Sequence, residues 1–194
     1  MHIQNWKKEI LTVPNLLTLF RLILLPVYAA IYLSATTSLD YLLAGGVMAV
    51  SCTSDLFDGM VARRFHQITT LGKILDPLAD KITQCTLTLC LSFRYPLLWP
   101  LFGLFLIKEL FQLVVGVCFL LKKKILPGAL MAGKVCTTVL FISLIGLVTF
   151  PDMPRSMVMI IAVTDSAFLT ISFVCYIFAY FGRNAKIERM DTGE

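Results

Sequence analysis

Two pairs of aspartates carry the chemistry this chain can do. Asp55 and Asp58 are three residues apart, and Asp76 and Asp80 are four apart. On helices each pair shares one face. Small residues share those faces. Asp55, Asp58, Gly59 and Ala62 follow i, i+3, i+4, i+7 spacing, and Gly72, Asp76, Ala79 and Asp80 make a second stripe. Glycine and alanine let a ligand or another helix approach the backbone. Four facing carboxylates do not all stay ionised without cations, and no His or Cys cluster accompanies them. An all-oxygen donor set suits hard cations, meaning Mg²⁺, Mn²⁺ or Ca²⁺. Four aspartates suffice for two ions if one or two bridge, and a two-metal site suits displacement at phosphorus. Arg63, one turn past Gly59, brings a guanidinium suited to a phosphate.

The elements that must position these acids are membrane spans. Of 194 residues, 58% are hydrophobic and 15% charged, with mean hydropathy +0.83. A soluble domain carries about a quarter charged residues. Six apolar runs of roughly 20 residues suit a bilayer: about 16–33, 41–57 continuing as helix to Arg64, 71–93, 97–121, 129–150 and 157–181. The predicted fold is therefore an all-α integral membrane protein. Six transmembrane helices form a single domain over 1–194. Residues 1–13 are expected as an N-terminal interfacial helix broken by Pro14, and 183–194 as a polar tail. Lys7, Lys8, Arg63, Arg64, Lys73, Lys122–Lys124, Arg183, Lys186 and Arg189 fall on the side bearing the termini, against Arg94 and Arg155 opposite. The positive-inside rule then puts both termini, and the acids, at the cytoplasmic face. No small-residue cleavage motif closes the first apolar run.

Composition also excludes. The net charge of +5 is scattered in short clusters, so no nucleic-acid face forms. The six cysteines lie inside apolar runs with no Cys-x-x-Cys pair, as small hydrophobes do. Two other readings of the acids compete with a metal site. Arg21, Lys81, Lys108 and Lys134 are available as ion-pair partners, but pairing alone leaves the spacing and the shared glycines unexplained. A cation- or proton-coupled transporter also carries intramembrane acids. It would show an inverted repeat and midplane acids, and neither is visible.

The pattern Asp-x2-Asp-Gly-x2-Ala-Arg-x8-Gly-x3-Asp-x3-Asp resembles the signature of the CDP-alcohol phosphotransferase family. Asp55, Asp58, Gly59, Ala62, Arg63, Gly72, Asp76 and Asp80 fill all eight fixed positions over 26 residues. Pro14-Asn15-x-x-Thr18-x-x-Arg21 and the six spans extend the likeness over most of the chain. The resemblance implies transfer of a phosphatidyl or similar group from a CDP-alcohol to a second alcohol, with release of CMP. Asp55, Asp58, Asp76 and Asp80 would hold two Mg²⁺ or Mn²⁺ ions, and Asp80 would act as general base. Asn15, Thr18, Gly59, Ala62, Arg63, Thr69 and Gly72 would bind the CDP-lipid. Homodimers are typical of the family, and a bacterial-type cytoplasmic membrane is the expected location.

The acceptor alcohol is read from other positions. Asp76-Pro77-Leu-Ala-Asp80-Lys81 resembles the phosphatidylglycerophosphate synthase and cardiolipin synthase branches. Glycerol 3-phosphate needs cations, for which Arg21, Lys81, Lys108 and Lys134 are the candidates. The fourth span carries Lys108-Glu109 where that branch has Arg-Glu, and Lys108 suits a pair with Glu109 as well as it suits a phosphate. The fifth opens Gly133-Lys134-Val-Cys136-Thr137, keeping one lysine of two. Phosphatidylglycerol, as in a cardiolipin synthase, is the alternative acceptor.

Overall fold

The computed structural model describes residues 12–64, 72–121 and 131–181; for 13, 14, 55–64, 73, 74, 120 and 181 only the helical backbone is described. The described residues form six α-helices and one 3-10 turn: α1 Val13–Ser34, α2 Ser38–Arg64, α3 Gly72–Arg94, the 3-10 turn Pro96–Leu98, α4 Trp99–Leu121, α5 Met131–Thr149 and α6 Arg155–Phe181. Among the described residues, four helices are long and apolar enough to cross a bilayer: α1, α4 with its preceding turn, α5 and α6. The other two, α2 and α3, carry the paired aspartates and are less apolar than the rest. In the four candidates only 22–33% of the most apolar window is buried. Large apolar residues such as Ile23, Leu42, Leu110, Ile142 and Phe178 are exposed. Water does not tolerate apolar surface on that scale; the protein is membrane-embedded.

Two helix starts differ from expectation. Pro14 does not break the chain; it lies in the first turn of α1, where a missing N–H costs nothing. Val13 thus belongs to α1, and residues 1–11 of the expected interfacial helix lie outside the described residues. The second helix, expected from about residue 41, starts at Ser38 instead. The backbone N–H groups of Thr36 and Thr37 donate to Asp40 Oδ2 at 3.0 and 2.8 Å, while the Asp40 N–H donates to Thr37 Oγ1 at 3.3 Å. This reciprocal capping box starts α2, and its signal, Thr37-Ser-Leu-Asp40, is present in the sequence.

The chain divides into two compact units. The first holds α1, α2, α3 and the last turn of α5 with the following residues to Asp152. Its core includes Leu25, Tyr28 and Tyr32 of α1, Ala44 and Met48 of α2, and Leu87 and Leu91 of α3. At the end away from the acids, the Arg94 guanidinium lies 3.7 Å from the centre of the Tyr41 ring and donates to the Pro151 carbonyl at 2.6 Å. The second unit holds α4, most of α5, and α6. Val115, Tyr176 and Tyr180 form a core joined by Phe111 and Phe119. A Cβ on Gly133 would meet the Tyr176 ring at 2.9 Å, so any larger residue there has to displace that ring. All six cysteines are free thiols.

Candidate active site

A polar stripe runs along α1, which is otherwise apolar. Asn15, Thr18 and Arg21 recur every three residues and are 1%, 0% and 2% exposed. Buried polar groups require partners, and two of these find theirs on α3. Thr18 Oγ1 donates to Asp76 Oδ1 at 2.9 Å, and Arg21 Nη1 donates to Asp80 Oδ1 at 2.7 Å. The sequence offsets, 58 and 59, are nearly constant, so α1 and α3 run parallel and in register along this seam. Ala79, fully buried between the two carboxylates, has a side chain small enough to let the helices close.

The burial is lopsided. The Arg21 side chain is 3% exposed and its partner Asp80 is 54% exposed. A guanidinium buried at membrane depth is stabilised by a carboxylate that itself faces outward. Asp76 is half-buried, Gly72 buried and Lys81 half-buried on the same helix. Pro77 lies inside α3 and has no N–H to offer the Lys73 carbonyl, loosening the helix beside Asp76. Between α1 and α2, Leu17, Ala49, Val50, Thr53 and Ser54 line an open groove of about 450 Å³. Its end residues adjoin Thr18 and Asp55 in the chain.

Asp55, Asp58, Gly59, Ala62 and Arg63 fall in the last ten residues of α2, but their side chains lie outside the described residues, as does all of Thr69. Among the described residues no three His, Cys, Asp or Glu side chains converge as a metal site. The two described carboxylates supply oxygen donors one helical turn apart, a set that fits a hard cation rather than a soft one. Thr18 and Arg21, expected to touch ligand, are bonded to Asp76 and Asp80. Of the two described acids, Asp80 thus realises the ion-pair alternative.

The other cations behave differently. In the second unit Lys108 is buried, donates to Glu109 Oε1 at 2.7 Å and has its Nζ 5.9 Å from the Tyr176 ring centre. The pair with Glu109, one of the two roles the sequence allows Lys108, is formed. Lys134 is exposed on α5. Asp165, for which the sequence suggests no role, accepts from the Ser143 hydroxyl at 3.0 Å and joins α5 to α6.

A profile of the CDP-alcohol phosphatidyltransferase family matches residues 11–178. The chain belongs to this family. As a member it is an enzyme of phosphatidyl transfer, and such enzymes are metal-dependent. A CDP-diacylglycerol–glycerol-3-phosphate 3-phosphatidyltransferase of Aquifex aeolicus is 38% identical over 69% of this chain and 72% of its own length. A probable phosphatidylglycerophosphate synthase of Mycobacterium tuberculosis is 30% identical over 85% of this chain and 79% of its own length. A probable CMP-forming cardiolipin synthase of Drosophila melanogaster is 31% identical over 59% of this chain and 34% of its own length. The family match begins at residue 11 and so takes in the whole Asn15–Thr18–Arg21 stripe as well as all four aspartates.

Proposed function

We propose that this phosphatidyltransferase moves a phosphatidyl group from CDP-diacylglycerol to glycerol 3-phosphate, giving phosphatidylglycerophosphate and CMP. The observation that carries the choice of acceptor is the 38% identity to the Aquifex glycerol-3-phosphate enzyme, which extends over 69% of the chain. In this reading Asp55, Asp58, Asp76 and Asp80 hold two Mg²⁺ or Mn²⁺ ions. When bound, these supply Lewis acidity and neutralise phosphate charge. Asn15, Gly59, Ala62, Arg63, Thr69 and Gly72 bind the CDP moiety, with the glycines and alanine giving it access to the helix backbones. The groove between α1 and α2 leads from Leu17 and Ser54 along an apolar path suited to an acyl chain. Lys81, next to Asp80, offers its ammonium to the acceptor's phosphate.

Asp80 takes the proton from the acceptor hydroxyl. The hydroxyl oxygen attacks the phosphatidyl phosphorus, a new P–O bond forms, and the P–O bond to CMP breaks. The 54% exposure of the Asp80 side chain suits a group that must meet an incoming acceptor. The reading includes six spans, both termini and the site at the cytoplasmic face of a bacterial-type membrane, and a homodimer.

A cardiolipin synthase is the second reading. It is favoured by Cys136, a buried thiol where the glycerol-3-phosphate branch carries a second lysine. The experiment offers purified protein CDP-diacylglycerol and Mg²⁺ with glycerol 3-phosphate, phosphatidylglycerol, serine or inositol phosphate, and weighs the lipid products. Phosphatidylglycerophosphate is expected. Cardiolipin alone would move the chain to the second reading, and no CMP release with any acceptor would sink both.

A further inference from the structure

We infer that Thr18 and Arg21 are positioning residues. They fix the orientation of Asp76 and Asp80 from a neighbouring helix, so that α1 sets the geometry of the carboxylates on α3. The inference rests on the reading of those aspartates as the reacting and metal-binding acids.

A carboxylate on a single helix turn has rotamers to choose from, and a site built from such groups performs only if they are held. Each described carboxylate of the set accepts from a donor on α1, and both donors lie on the same face of that helix. Thr18 is 0% and Arg21 2% exposed, and their donor atoms lie 2.9 and 2.7 Å from Oδ1 of Asp76 and Asp80. The two bonds repeat one device: a donor on α1 and a carboxylate on α3, one turn apart. The alternative role, direct contact with substrate, would require these side chains to be reached by a polar ligand. Their donor atoms are instead engaged by Asp76 and Asp80, whereas Asp80 itself is more than half exposed to an incoming ligand. The two donors also differ in kind. A neutral hydroxyl orients Asp76, while a guanidinium both orients Asp80 and matches its charge.

The test combines Mn²⁺ binding, followed by electron paramagnetic resonance on purified protein, with steady-state kinetics in both substrates. Thr18→Val removes the donor and keeps the shape. It is expected to weaken Mn²⁺ binding by about 10- to 100-fold, the usual loss when a ligand's supporting partner is removed. Thr18→Ser restores the hydroxyl and should bind as wild type. Thr18→Val added to Asp76→Asn should cost no further Mn²⁺ affinity, because the partner it orients is gone. Arg21→Gln should lower kcat by about 10- to 100-fold with both KM values within about twofold of wild type, and Arg21→Lys should recover part of the loss.

A rise in KM for the acceptor or the CDP-lipid at unchanged kcat would make these residues ligand contacts and overturn the proposal. So would wild-type Mn²⁺ affinity in Thr18→Val, or additive losses in the double variant. Wild-type protein that binds Mn²⁺ yet releases no CMP would remove the proposed reaction. The Thr18 and Asp76 titrations would still decide whether α1 positions the acids.

Discussion

The Asp80 carboxylate faces outward while the arginine bonded to it is buried, and this decides how its substitution behaves. Asp80→Asn keeps a carbonyl oxygen to accept from Arg21, so the seam between α1 and α3 persists. Turnover should fall by about 10²- to 10⁴-fold, the usual contribution of a general base, with unchanged helicity by circular dichroism; activity near wild type would remove Asp80 as the base. Lys108 presents the same arrangement seen from the cation. It is a buried cation whose Glu109 partner is 19% exposed. Lys108→Met leaves Glu109 without its ammonium and should cost about 3 kcal/mol. Lys108→Met with Glu109→Leu should recover most of that, measured by thermal unfolding in detergent. The acids themselves are legible in the sequence, because a carboxylate in an apolar chain is too costly to persist without a task. Their bonds to Thr18 and Arg21 are not. A contact across 58 residues depends on the register of two helices, which no local spacing encodes.

Helix existence follows from apolar length, and the boundaries from chemistry at single residues. The start of α1 is misplaced when Pro14 is read as a breaker, although a first-turn proline has no intrahelical bond to lose. The start of α2 is misplaced when Asp40 is read as loop polarity rather than as the third residue of a cap. That cap has a pH signature. The amides of Thr36 and Thr37 hold the exposed Asp40 carboxyl below its ordinary value. A depressed native value stabilises the fold above the unfolded value of about 4, and the contribution disappears as pH falls through the native value. Titration from about pH 6 to 2 should therefore show a larger loss in wild type than in Asp40→Ala. Gly133 sets a different boundary, the closeness of α5 to Tyr176. Gly133→Leu should destabilise the second unit by about 1–3 kcal/mol through overpacking, read as a lowered Tm. Paired with Tyr176→Ala the loss should be smaller than the sum of the two.

For the whole chain, the two helices that house the aspartates are the least apolar of the six described, so the proposed site and membrane residence place opposing demands on the same residues. Arg21 adds a third demand, placed on biogenesis. It sits six residues into the apolar stretch that begins at Asn15, and an arginine deep in a span carries an insertion penalty of about 3 kcal/mol. Its counter-charge, Asp80, is synthesised 59 residues later. At ordinary translation speeds, about 5–20 residues per second, α1 must wait several seconds for α3. During that interval the first span depends on its own hydropathy, and its retention in the bilayer is least secure. Nascent chains arrested before Gly72 should therefore be extracted by alkaline carbonate more readily than chains arrested after Arg94. Arg21→Leu should abolish the difference. Equal extraction of the two arrested lengths would show that α1 commits to the membrane without its partner.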